Sequence, residues 1–238
     1  MARMCDAFYC IAPDLMGLGD TLVPENEDLS LSSQADMIMR FLRAMKAEKA
    51  ALIGHDHGGG CAQIVAVRYP LMVSHLILVD SIGYDSWPVL RVRARAWIAR
   101  HLPGLSSSPL LMEMFWRSRF GLRQAFWDPS VMTPDVMEEY IRPLTESPER
   151  RKAFRRYLLA CDSRDTMAIA EDLGRTSIPT MIVWGSHDRS LPLSLGRELY
   201  RNIPGAKRFE VIAEAGHLLP EEKPEALASL LREFLRKG

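Results

Sequence analysis

Ala51-Leu52-Ile53-Gly54-His55-Asp56-His57-Gly58-Gly59-Gly60 sets a short apolar run against an abrupt polar triplet and a string of glycines. Successive apolar residues suit a strand buried on both faces. Gly58 to Gly60 let a helix begin at once and pack close to that strand. The stretch therefore reads as strand, sharp turn and helix, with Asp56 at the tip. In the G-x-S-x-G elbow the same geometry pushes a nucleophile out of a strained turn at the top of a parallel sheet. Here a carboxylate stands where serine is usual. A carboxylate is a poor choice for acyl transfer but works on saturated carbon, giving an ester that water must then break.

Two later stretches extend the pattern. Thr180-Met181-Ile182-Val183-Trp184-Gly185-Ser186-His187-Asp188 is a second buried strand that runs into a carboxylate, and Ala215-Gly216-His217 follows a strand at Arg208 to Ile212. Nucleophile, acid and histidine in this chain order resemble the α/β-hydrolase superfamily. Within it the aspartate resembles the Asp-nucleophile branch, which contains epoxide hydrolases and haloalkane or haloacetate dehalogenases. The resemblance implies an α/β fold with a mostly parallel sheet, helices on both faces and an inserted helical cap. It implies Asp56 as nucleophile, His217 as general base, Asp188 as the acid that orients it, and the His57 backbone N–H as an oxyanion donor.

Composition limits the alternatives. A chain of 238 residues with 47% hydrophobic residues can bury a large core, and one domain with an insertion fits better than two independent ones. Lys+Arg and Asp+Glu both total 30, so no net field attracts nucleic acid. Even the Arg-rich middle, residues 84 to 176, carries 15 Lys/Arg against 12 Asp/Glu, which reads as solvated helix surface. Cys5, Cys10, Cys61 and Cys161 are scattered without metal-ligand spacing, which predicts a reducing, cytoplasmic setting. No signal-peptide pattern or long apolar run predicts a membrane association.

Taken in order, Ala7 to Ala12 reads as a strand, and Pro13 to Thr21 as a loop like the Asp-x-x-Gly-x-Gly loop after the fourth strand of the family's sheet. On that alignment the first three strands and the His-Gly oxyanion loop have no counterpart. The expectation is then that Ala7 to Ala12 pairs with Ala51 to Ile53 or leaves an open edge, with low solubility or a swapped dimer and weak activity as consequences. Ser33 to Ala47 reads as a helix with Ser33 and Asp36 resembling a capping box. Leu76 to Val79 reads as a buried strand ending at Asp80, an alternative partner for His217. Residues 82–178 are too long for a connection and too poor in strand signals to extend the sheet, so they read as a helical cap on a core of residues 1–81 and 179–238.

A cap covers the strand ends and shapes the substrate pocket. Tyr84 and Trp87 are candidate substrate contacts because they lie just past a strand end, and Tyr140 and Tyr157 join them as cap tyrosines. An epoxide needs a proton donor at its oxygen, which the resemblance assigns to cap tyrosines, and a halide needs N–H donors. The double glycine after His57 resembles the epoxide-hydrolase elbow, and that resemblance implies epoxide hydrolysis of a small apolar substrate by water, with dehalogenation as the alternative and no cofactor required. His55-x-His57 could pair on a metal, but nothing nearby completes a ligand set, so no metal is expected. The remaining alternatives are a catalytically impaired, truncated hydrolase and a non-enzymatic binding module.

Overall fold

Four segments pair as parallel strands, β1 (Ala50–Asp56), β2 (Val73–Ser81), β3 (Thr180–Gly185) and β4 (Ala206–Ile212), in that spatial order. They form the sheet of a computed structural model that describes residues 2–236. Helices separate the strands, as parallel pairing requires. Ile53 lies opposite Ile77, and Ile77 opposite Met181, so apolar side chains stack across the three strands. Ile77, Leu78, Met181, Ile182 and Val183 are fully buried. Each such side chain contributes about 1.5–3 kcal/mol relative to exposure.

Helix α1 (Leu31–Ala44) and helix α2 (His57–Arg68) cover one face of the sheet. The α2 backbone comes so close that a Cβ on Gly59 would overlap the Ser81 hydroxyl, and one on Gly54 would overlap the Gly58 carbonyl. That close packing is what brings Asp56 to a point. The predicted capping box at Ser33 is replaced by a cap one turn earlier: Ser30 Oγ accepts from Ser33 N at 3.3 Å. The buried stripe accordingly runs Leu31, Ala35, Met39, Leu42, and Met45 is left half-exposed beyond the helix end.

Between β2 and β3 the chain forms α3 (Leu90–His101), α4 (Pro109–Arg117), α5 (Pro134–Thr145) and α6 (Pro148–Ala160), with short turns between them. Three of these start the same way: Ser108, Thr133 and Ser147 cap the third amide of a helix whose first residue is proline. Phe126, Met132, Met137 and Ile141 form a small core of their own here. After β3 come α7 (Leu193–Asn202) and, at the end, α8 (Pro224–Arg236), whose Leu227 and Leu231 cover the second face of the sheet.

Ala7 to Ala12, expected as a strand, makes no ladder. Met4 is buried beside α8, and Arg3 and Asp6 bind Glu225 and Arg232 of that helix, so the segment is tied to a sheet face instead of the edge. Tyr9 and Ile11 are exposed. Among the described residues β1 therefore has β2 as its single neighbour, and Ile53 is 47% exposed. No helix of the described residues is long and apolar enough to cross a membrane.

Candidate active site

β1 passes into α2 without a linker, and Asp56 takes φ 48° and ψ −117° at the junction. A non-glycine residue holds such a conformation only where its surroundings enforce it. The side chain projects toward His217, whose Nε2 is 3.7 Å from Asp56 Oδ2, while Asp56 Oδ1 is buried without a partner. His57 opens α2, so its backbone N–H belongs to the first turn, whose amides lack intrahelical acceptors and carry the positive end of the helix dipole.

His217 is fixed from three directions. Its Nδ1 is 2.9 Å from Asp188 Oδ2, in a carboxylate with no exposed surface that also accepts from the amides of Ser190 and Leu191 at 2.6 and 3.0 Å. Its backbone carbonyl accepts from His55 Nε2 at 2.7 Å. The preceding Gly216 N–H donates to Glu222 Oε2 at 2.6 Å, and Glu222 Oε1 takes the amides of Trp127 and Asp128 at 2.8 Å each. Glu222 thus ties the histidine loop to the segment between α4 and α5. Its sequence context suggests only a first-turn helix acid, and no local pattern marks this tether.

Asp80, the alternative acid, is fully buried at the end of β2 but makes no hydrogen bond to His217. Its Oδ1 accepts from Gly185 N at 2.8 Å, and its Oδ2 has no partner. Burial, and then the Asp188 charge, push its pKa up to about 8, which favours the neutral carboxylic acid. For His217, burial works against protonation, but the hydrogen bonds and charges of Asp188 and Asp56 outweigh it and raise the imidazole to about 10. Burial would likewise raise Asp56, yet the His217 hydrogen bond and charge hold its carboxyl well below the usual range. Both shifts favour an Asp56 carboxylate beside a protonated His217.

These groups open on a cavity of about 400 Å³ beneath the helices that follow β2. Trp87, Tyr140 and Tyr157 line it; Tyr84 does not. Tyr84 instead packs into the core beside α7, with its hydroxyl toward Asn202 and its carbonyl held by Thr166. The backbone at Tyr84 has φ 51°, a left-handed kink that sends its side chain away from the strand ends. Trp87 meets His57 edge-on at 4.3 Å between ring centres, and its indole N–H is buried without a hydrogen-bond partner. Tyr140 donates to Glu221 Oε1 at 3.0 Å, and the Tyr157 hydroxyl is bonded to His57 Nδ1. Both rings of the His55-x-His57 pair are thus engaged by protein groups rather than converging on one point. Arg91, Arg95, Trp116 and Gln124 also line the cavity. The two arginines escape a sequence reading that sees only an Arg-rich helix surface; their spacing of four on α3 is the signal that puts them on one face.

The comparisons agree with this architecture. The α/beta hydrolase family model matches residues 2–230, and the chain belongs to that family. It is 27% identical to a 2-hydroxymuconate semialdehyde hydrolase of Pseudomonas putida over 96% of this chain and 77% of that protein. It is 25% identical to epoxide hydrolase 3 of Xenopus tropicalis over 98% of this chain and 65% of that one. Among solved structures, an α/β hydrolase fold protein from Burkholderia ambifaria superposes with a TM-score of 0.78 at 26% identity, covering 92% and 77% of the two chains.

Proposed function

We propose that this hydrolase opens an epoxide by attack of Asp56 on carbon, and that His217, oriented by Asp188, activates the water that releases the diol. The observation that carries the reading is a carboxylate at the elbow tip, 3.7 Å from an imidazole that a buried carboxylate holds at 2.9 Å. A serine there would call for acyl chemistry; an ionised aspartate at that point favours displacement at carbon.

Tyr157 supplies the acid. His57 is buried and its pKa is lowered, by burial first, so the ring is neutral and one nitrogen carries the proton. Its Nε2 is buried without a partner. A buried orphan N–H is less tolerable than a buried orphan acceptor, so the proton belongs on Nδ1, which donates to the Tyr157 oxygen. The phenol proton is then free for the epoxide oxygen. Tyr140, by contrast, has already given its hydrogen to Glu221. A halide would instead need N–H donors, which Arg91 and Arg95 carry on the cavity wall; the Tyr157 phenol bonded to His57 beside the nucleophile is what favours the epoxide, with dehalogenation second.

The proton ledger closes. Asp56 forms a C–O bond as the ring C–O bond breaks, and Tyr157 protonates the departing oxygen. Esterification removes the negative charge that raises the His217 pKa, so the imidazolium surrenders its proton to the Tyr157 phenolate and becomes a base. It then deprotonates water attacking the ester carbonyl, with the His57 N–H facing the developing oxyanion. Collapse frees the second diol hydroxyl, which takes one proton, and restores Asp56 carboxylate with protonated His217. Substrate and water are the partners this scheme requires.

Mass spectrometry of His217→Gln after incubation with epoxide and haloalkane panels tests the reading. The expected product is an alkyl adduct on Asp56 from an epoxide; an adduct on another residue, or none from either panel, overturns it.

A further inference from the structure

Arg95 is the cavity-lining cation that the proposed chemistry leaves without a task. It lies on α3 one turn after Arg91, and both side chains face the cavity that contains Asp56. Among the described residues the Arg95 side chain makes no hydrogen bond and no ion pair; its guanidinium lies 4.9 Å from the Phe115 ring centre and 4.6 Å from that of Trp116. Arg91 has only the Ser190 hydroxyl as a partner. The sole acid in the cavity wall is Asp56, and it is already matched by His217.

Five fixed N–H donors, partly removed from water and without an acceptor, are costly to a folded protein unless something else receives them. The surroundings even penalise the charge: burial, and then the neighbouring Arg91, lower the Arg95 pKa to about 10. Aromatic rings offset part of that cost through their π faces, and they leave the edge of the guanidinium plane for an acceptor. A planar fork with two parallel N–H bonds matches a carboxylate.

We propose that Arg95, seconded by Arg91, holds a carboxylate of the substrate, so that the enzyme acts on an anionic organic acid and not on a neutral apolar molecule. This deepens the epoxide reading and rests on it for the reacting end of the molecule. The acid group docks at α3, and the carbon to be attacked extends toward Asp56 within the same 400 Å³ space. Arg95 and Trp116 also form the wall shared with a neighbouring apolar cavity of about 300 Å³, which includes Leu111, Met112 and Phe154, so the anion sits where the polar chamber ends.

The test needs no turnover. Isothermal titration of the whole chain with 4-phenylbutyrate, 4-phenylbutyramide and phenylbutyl phosphate compares one carbon skeleton with three head groups. The expected result is that the wild type binds the carboxylate at least 10-fold more tightly than the amide. Arg95→Met, which keeps the stem and much of the volume, is expected to lose about 10- to 100-fold in carboxylate affinity, the scale of a lost charge-assisted hydrogen bond, with the amide unchanged. Arg95→Lys should recover part of the loss. Equal binding of carboxylate and amide, or binding of neither by the wild type, overturns the proposal; tighter binding of the phosphate replaces the carboxylate assignment. Thermal unfolding of each variant identifies a folding defect, and Arg91→Gln then serves as the second variant, expected to weaken carboxylate binding selectively. Because no step involves Asp56 alkylation, a failure here leaves the epoxide reading standing, and a failed adduct experiment leaves this one standing.

Discussion

β1 and β3 each end near a carboxylate that meets His217, and they differ in almost everything around it. β3 has neighbours on both sides and every one of its residues is buried. Among the described residues β1 has one neighbour, and Ile53 in its middle is 47% exposed. Yet the strained residue is on β1. The strain at Asp56 is maintained less by the sheet than by α2 pressing on Gly54 and by the pairing with His217. Asp188, on the loop after β3, sits in a fixed cage of amides. Asp188 is built into the rigid interior, and Asp56 is built onto an edge that a helix braces.

The largest expected effect falls on the interior side. Asp188→Asn removes the charge that orients and protonates His217, and turnover should drop on the order of 10⁴-fold. Rates measured with a purified, folded variant check this; a loss under 10-fold would mean that Asp80 or another group substitutes. Next come the two glycines. A Cβ at Gly185 would strike the Gly216 carbonyl, and one at Gly54 the Gly58 carbonyl. Overpacking costs about 1–3 kcal/mol and more where nothing can move. Gly185→Ala should therefore cost over about 3 kcal/mol in denaturant melts, and Gly54→Ala less, because an edge strand can shift. The reverse order would show that β1 is the stiffer of the two.

Asp80 gives a smaller effect with a defined sign. Its folded pKa is raised to about 8, so the folded state keeps a proton that the unfolded chain has lost above the ordinary carboxylate range. Stability from that source falls as pH rises across this window and reaches its minimum above about 8. Asp80→Asn should thus gain about 1 kcal/mol or more at pH 8 and little at pH 4, read from melts at both pH values. At the exposed edge, Ile53→Thr should change stability by no more than about 0.5 kcal/mol while lowering any tendency to self-associate, read by light scattering.

The sequence shows the parts of this molecule that follow from local chemistry. Apolar runs that stop at Asp56, Asp80 and Gly185 mark strand ends, and Ser-Pro or Thr-Pro pairs at 108, 133 and 147 mark helix starts. The order of Asp56, Asp188 and His217 suffices to bring the three into one constellation on paper. What it does not show depends on contacts between distant segments. Tyr84 and Trp87 are equivalent by position, but a left-handed backbone at Tyr84 turns one away and leaves the other on the cavity. Ala7 to Ala12 has strand composition, yet ion pairs from Arg3 and Asp6 to α8 decide its path. The Glu222 tether spans about 95 residues of chain and has no local signature.

The resting ion pair also predicts a split in pH behaviour. Single-turnover alkylation, which needs ionised Asp56 and protonated Tyr157, should be flat through neutral pH and change only as pH rises through about 10, where His217 loses its proton. Release of the ester needs neutral His217, so it should quicken with rising pH at neutral values. Rapid-quench measurement of the two phases checks this, and parallel profiles for both would contradict the charge switch.

Covalent attack by Asp56 is tested most directly by one turnover in H₂¹⁸O with enzyme in excess over an epoxide, followed by peptide mass spectrometry. If water attacks the ester carbonyl, the ¹⁸O enters the Asp56 side chain and the first diol formed carries none. Label in the diol with Asp56 unlabelled would mean that water attacks the epoxide itself, and the nucleophile assigned to the elbow would be wrong.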